Sequence, residues 1–175
     1  TETALLDDGS MHRLLVNGTY FCGSMSADSV ILSASNYVAA MADHIYNETP
    51  YGDTVLWIQP FTGNAGENTY LFELQPNNTF KISDYSQAAQ RAYRTWLQQR
   101  YGTIGALNTA WNTSYADFNA IAPAPPRRVD GYTWFGDTPH EVDWVRYCQF
   151  AHRRFYDALI AGAKSRAPQV KMAAY

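Results

Sequence analysis

Residues Thr54 to Phe61 read "TVLWIQPF", a run made almost entirely of apolar and β-favouring side chains. The run shows no alternation between apolar and polar positions, which is typical of a parallel strand that is covered on both faces. Such a strand needs helices on either side of the sheet that contains it. The segment therefore predicts an α/β fold.

Helices are predicted on both sides of this strand along the chain. Before it, apolar residues recur three or four positions apart over residues 30–46, and the pattern ends before Pro50. After it, a second amphipathic helix is predicted to begin at Ser83-Asp84 and to end at Gly102, where a left-handed residue is expected. The run "TIGALNTAW" that follows predicts a further short helix.

The C-terminal third contains a loop, a long helix and a second strand. The proline-rich residues 119–128 exclude a helix interior and lead into an aromatic loop, "VDGYTWFGD". Thr138, followed by a proline and by Glu141 three positions later, is a helix start, and the helix is expected to run towards Arg166. The final run, "QVKMAAY", predicts another buried strand.

The order of these elements is helix, strand, long loop, helices, long helix and strand, within a single domain over residues 1–175. A doubly wound sheet has the same order, but it usually carries a glycine-rich phosphate loop, and the patterns GxGxxG and GxxxxGK[ST] do not occur here. The sequence therefore favours an α/β fold of the barrel type, with long loops after the strands.

Composition and spacing argue against several classes of function. The net charge is -3 and no long basic run occurs, so a nucleic-acid partner is not expected. No apolar run of membrane-spanning length is present. The four histidines lack metal-ligand spacing, and "CGSMSAD" lacks the closing glycine of a serine nucleophile turn. We therefore expect no metal, no cofactor and no membrane segment.

The sequence leaves the localisation open between cytoplasm and secretion. The chain begins at Thr1 with neither a methionine nor a signal-peptide pattern, so a processed or truncated start is expected. Triplets of the glycosylation type occur, but a chain rich in Asn, Thr and Ser produces them by chance.

The loop after the predicted strand, "FTGNAGEN", contains one carboxylate, Glu67. In parallel α/β folds such loops lie over the catalytic face of the sheet. A partly dehydrated carboxyl group there retains its proton near neutral pH and can act as a general acid, although a surface-loop role is the competing interpretation. Glu73 is the rival acid, but its bulky neighbours favour a structural role.

The run "YRTWLQQRYGTIGALNTAWNTSYADFNAIAPAPP", from Tyr93 to Pro126, resembles the segment that follows the acid/base glutamate in family 42 glycoside hydrolases. The matching positions are Trp96, Leu97, Tyr101, Gly102, Thr103, Leu107, Asn108, Ala110, Trp111, Thr113, Phe118, Ile121 and the pair Pro125-Pro126. The resemblance implies a (β/α)8 TIM barrel and retaining hydrolysis of β-galactosides, with Glu67 as the acid/base after strand 4.

The chain is expected to be a central slice of such a barrel, with strands 4 and 5 and their flanking helices. A complete barrel needs about 250 residues, so the nucleophile would lie beyond Tyr175. A retaining mechanism needs two carboxyl groups about 5 Å apart, so the isolated chain is expected to be inactive. The missing strands would come from the rest of the barrel or from a homo-oligomer.

A glycoside or oligosaccharide is the partner that the resemblance implies. Gln59 and Asn64 are predicted to contact sugar hydroxyls, and Trp134 is a candidate stacking platform. The pair Gly66-Glu67 is closer to β-amylase-like barrels than to the Asn-Glu common in the family, so a β-amylase-like or other barrel glycan hydrolase stays open. A non-catalytic carbohydrate-binding barrel protein is the third alternative.

Overall fold

A computed structural model of the chain describes residues 2–12, 22–59, 72–74, 80–129, 132–134 and 137–173. The strand segments at 72–74, 80, 127–129 and 132–134 are described by their backbone. These residues contain four α-helices, namely α1 Asp28–Asp43, α2 Gln87–Tyr101, α3 Ile104–Trp111 and α4 Pro139–Arg166. They also contain four short strands, namely β1 Phe72–Leu74, β2 Phe80–Ile82, β3 Arg127–Val129 and β4 Tyr132–Trp134.

Helix α4 begins where the sequence predicts it. The Thr138 hydroxyl accepts a hydrogen bond from the Glu141 amide at 3.3 Å, and the Glu141 carboxylate accepts one from the Thr138 amide at 3.0 Å. This reciprocal cap satisfies amide groups that lack a partner within the helix. The predicted end at Arg166 is also confirmed.

Helix α2 begins later than predicted. Its first residue is Gln87, and its N-cap is Ser86, whose hydroxyl accepts a hydrogen bond from the Ala89 amide at 3.2 Å. The Ser83-Asp84 start was wrong because the Asp84 carboxylate turns inward, with only 1% of the residue exposed. The end of the helix was correct, since Gly102 has a positive φ of 71°.

Helix α4 joins two hydrophobic cores. Its first half, with Trp144 and Tyr147, packs with α2 and α3, and Tyr93 and Trp111 are buried in the same cluster. Its second half packs against α1 in a separate cluster. Because buried positions recur every three or four residues along its length, one stripe of α4 serves both cores.

Helices α1 and α4 approach closely at a glycine. The predicted 30–46 helix is observed as α1, and a π-helical turn continues it over His44–Glu48. A Cβ atom added at Gly162 would lie 2.7 Å from the Ser35 carbonyl oxygen, and the Ser35 hydroxyl donates to the Ala158 carbonyl at 2.9 Å. The absence of a side chain at residue 162 therefore sets the distance between the helices.

The predicted strand Thr54–Phe61 differs from expectation. Thr54 ends a short 3₁₀ turn, Ile58 forms a single bridge, and Leu56 and Trp57 are 70% and 57% exposed. The apolar character of the run is a property of its side chains, whereas burial requires elements that pack against them. Within the described residues neither of these two side chains is covered, so the prediction of burial on both faces was wrong.

The two loops predicted after the strands contain antiparallel hairpins. Strand β1 pairs with β2, and β3 pairs with β4. The second hairpin begins at the end of the proline-rich segment and continues into the predicted aromatic loop, so the loop prediction was wrong over Val129 and Tyr132–Trp134. Three-residue strands give too short an alternating pattern to be recognised in the sequence.

Candidate functional site

The two predicted strands meet in one parallel bridge, between Ile58 and Met172. The Ile58 amide donates to the Lys171 carbonyl at 2.9 Å, and the Ala173 amide donates to the Ile58 carbonyl at 3.0 Å. Parallel pairing requires a crossover connection between the strands, and helix α4 lies in that connection. The bridge therefore places Ile58 and Met172 side by side, with the two chain segments running in the same direction.

The four predicted site residues lie at different places relative to this bridge. Gln59 directly follows Ile58 and is half-buried. Glu67 and Asn64 lie outside the described residues, so their roles remain predictions. Trp134 is the last residue of β4 and pairs with Arg127, and its stacking role likewise remains a prediction. Of these four residues, the structure therefore describes only the side chain of Gln59.

A buried carboxylate, Asp84, fixes the start of the segment that follows the first hairpin. One of its oxygens accepts hydrogen bonds from the Ser86 amide at 2.9 Å and from the Leu5 amide at 3.3 Å. Its other oxygen accepts a hydrogen bond from the Ser24 hydroxyl. These contacts join the N-terminal segment to the start of α2. No sequence pattern predicted that these residues lie together.

Ser24 and Ser26 make buried hydrogen bonds within the structure. Ser24 is fully buried and donates its hydroxyl hydrogen to Asp84, so its oxygen cannot reach a substrate. Ser26 is hydrogen-bonded to the Tyr147 hydroxyl at 2.7 Å. Neither arrangement places a serine beside a base in a cleft, which nucleophilic catalysis requires.

A second buried carboxylate, Asp143, joins α2, α3 and α4. It is 1% exposed and accepts hydrogen bonds from the Trp111 indole at 3.0 Å and from the Tyr101 hydroxyl. Its other oxygen faces the guanidinium groups of Arg100 at 3.3 Å and Arg146 at 3.4 Å. Because the partners come from three helices, this carboxylate orients the α2–α3 unit on α4.

Burial shifts the pKa of one histidine and of two tyrosines that lie in the helices. Burial lowers the pKa of His140, whose ring lies 4.6 Å from that of Trp111 and whose Nε2 is 2.9 Å from the Ala122 carbonyl oxygen. Burial raises the pKa of Tyr93 and of Tyr147 well above the ordinary value. All three groups are therefore neutral near pH 7.

Two further observations concern metals and membranes. Over the described ranges, no three side chains of the His, Cys, Asp and Glu types come together in a way that would hold a metal ion. In the same part of the chain, no helix combines the length and the apolar composition that crossing a bilayer requires.

Comparison with known proteins gives relatives of two named activities. A β-galactosidase from Arthrobacter sp is 33% identical over 94 residues, which are 49% of this chain and 12% of that protein. A thermophilic β-amylase from Thermoanaerobacterium thermosulfurigenes is 32% identical over 95 residues, which are 51% of this chain and 16% of that protein. The matched segment is therefore a small part of each relative.

A solved structure matches nearly the whole chain. The β-galactosidase from the psychrophilic Marinomonas ef1 superposes with a TM-score of 0.67 at 22% identity, over 98% of this chain and 23% of that protein. The chain thus has the fold of a part of a TIM-barrel glycosidase. This likeness concerns the fold alone.

The sequence profile of a β-galactosidase family, Glyco_hydro_42, matches residues 38–174. The match includes the run from Tyr93 to Pro126 that carries the resemblance, together with α1 from its middle onward and all of α4. The resemblance read from the sequence is thereby confirmed, and the chain belongs to the Glyco_hydro_42 family of β-galactosidases.

Proposed function

We propose that this chain forms strands 4 and 5 of a (β/α)8 barrel in a retaining glycoside hydrolase, with Glu67 as the general acid/base. The observation that carries the proposal is the parallel bridge between Ile58 and Met172. Glu67 lies nine residues after Ile58 in the sequence, on the carboxyl side of the strand, where TIM barrels place their catalytic groups. Family membership supports the reaction class.

In this mechanism Glu67 donates its proton to the departing glycosidic oxygen and then, as the carboxylate, accepts a proton from water. A second carboxylate attacks the anomeric carbon and must lie about 5 Å from Glu67. We place that nucleophile outside residues 1–175, so that turnover needs the remainder of a barrel. The exposed side chains of Leu56 and Trp57 would then be covered by the neighbouring barrel elements.

Three residues are proposed to hold the sugar. Gln59 lies at the end of the strand, and its amide can both donate to and accept from hydroxyl groups. Asn64 would act in the same way from the loop, and Trp134 would stack on the apolar face of a sugar ring. The substrate class is a β-galactoside or a related glycan.

The test is the substitution Glu67→Gln in a protein that contains this chain within a complete barrel. Glycosides with poor leaving groups should lose activity by at least about 100-fold, because protonation of the oxygen is then essential. Aryl glycosides with activated leaving groups should lose far less. The matched control is Glu73→Gln, in the rival carboxylate, which should leave both rates unchanged. Equal losses on both substrate types would remove Glu67 from the role of acid.

A β-amylase-like activity is the second candidate, and a specific observation favours it. A β-amylase is among the relatives at 32% identity, and Gly66-Glu67 fits that class of barrel. The two activities are separated by measuring the rates at which a protein with the complete barrel hydrolyses lactose and maltotetraose. Binding of both sugars without turnover of either would instead favour the non-catalytic carbohydrate-binding alternative.

A further inference from the structure

The outer surface where α2 and α4 meet the start of α1 contains a hollow of about 400 Å³. Its lining combines three alanines and two aromatic residues, Trp96 and Phe150, with polar and charged side chains. A hollow of this volume with aromatic and polar groups has the size and the lining of a ligand site.

A second hollow adjoins the first and shares Phe150 and Arg154 with it. It also has a volume of about 400 Å³, and Arg153 and Asp157 complete its lining. Because Phe150 and Arg154 line both hollows, we treat the two hollows together as one groove. Two hollows that share lining residues can hold a linear ligand with one ring in each.

Phe150 has the properties of a stacking platform. It is 44% exposed, although its ring centroid lies only 6.4 Å from that of Tyr147 in the core. The indole of Trp96 is half-buried and is fixed by a stacked contact with Tyr93 at 6.2 Å. Rings that are held from behind and open in front bind the apolar faces of sugars with little loss of side-chain entropy.

The charges along the rim are balanced. Glu2 lies 3.9 Å from Arg91, and Asp28 forms an ion pair with Arg154. With the Arg153 and Asp157 pair of the second hollow, the groove carries three carboxylates and three guanidinium groups. A balanced rim has no net attraction for an anion or a cation. Planar carboxylate and guanidinium groups can, however, each bind two adjacent hydroxyls.

We propose that this groove is a non-catalytic binding site for a neutral linear oligosaccharide of at least two sugar units. Phe150 stacks on a sugar ring at the centre, and the guanidinium and carboxylate groups of the rim bind hydroxyls on either side. The proposal goes beyond the proposed hydrolysis, because binding here requires no turnover and no role for Glu67. A negative result in either experiment therefore leaves the other proposal standing.

The test is a calorimetric or NMR titration of the 175-residue chain with lactose and with maltotriose. We expect saturable binding of at least one sugar, with a Kd of about 0.1–10 mM. Phe150→Ala should weaken this binding by about tenfold or more, because the stacking surface is lost. Phe150→Trp retains an aromatic platform and should bind as tightly as the wild type, which separates loss of the platform from loss of folding.

The matched control is Tyr37→Ala. Tyr37 is an exposed aromatic residue, 66% accessible, that lies on α1 outside the groove lining. This variant should bind both sugars as the wild type does. The proposal is overturned if neither sugar saturates the chain up to about 50 mM. It is equally overturned if Phe150→Ala binds as well as Tyr37→Ala.

Discussion

Replacing Asp143 by asparagine should destabilise the chain, because the change retains the size of the side chain and removes its charge. The carboxylate accepts hydrogen bonds from Trp111 and Tyr101 through one oxygen and faces Arg100 and Arg146 through the other. The asparagine side chain has one acceptor atom, its oxygen, and one donor atom, the nitrogen of its NH₂ group. One set of these donors must therefore face an NH₂ group.

The magnitude follows from these contacts. A hydrogen bond to a charged group contributes about 1.5–3 kcal/mol, against about 0.5–1.5 kcal/mol for a neutral bond. Arg100 and Arg146 are 39% and 53% exposed, so each of their ion pairs adds at most about 1 kcal/mol. We expect Asp143→Asn to lower the free energy of unfolding by about 2–4 kcal/mol. For a chain of this length that loss lowers Tm by about 4–16 °C.

The assay is urea unfolding monitored by tryptophan fluorescence, with the slope m compared between variants to verify that the same transition is measured. The matched control is Asp157→Asn on the same helix, because Asp157 pairs with Arg153 at 3.4 Å while both side chains are largely exposed, at 64% and 83%. The control should lose less than about 0.5 kcal/mol. Equal losses in the two variants would refute the idea that Asp143 holds the three helices together.

Two further predictions concern packing and pH. Gly162→Ala should lower the free energy of unfolding by about 1–3 kcal/mol, because the new methyl group meets the Ser35 carbonyl oxygen. The control is Gly105→Ala, since Gly105 has open space around it. This control should leave the stability to urea unchanged or slightly raised. Burial lowers the pKa of His140 from 6.5, so the unfolded chain binds more protons and stability should fall as the pH falls below 6.5. The urea midpoint should depend less on pH in His140→Gln, and an unchanged slope would contradict this origin.

The sequence by itself determined the features whose physical cause lies within a few residues. The cap of α4 at Thr138 and Glu141 depends on atoms three positions apart, and the end of α2 depends on the tolerance of Gly102 for positive φ. The family motif from Tyr93 to Pro126 could also be recognised from the sequence, because it consists only of the order of residues. The start of α4, the end of α2 and the family membership could therefore be read without coordinates.

Only the tertiary structure decided which polar groups are buried and which apolar groups are exposed. The partners of Asp84 in Leu5 and Ser24 are 79 and 60 residues away, and those of Asp143 in Tyr101 and Trp111 are 42 and 32 residues away. No local pattern reports such contacts. The same reason explains the exposed apolar run before Gln59, since burial depends on what packs against a segment and not on the segment's own composition.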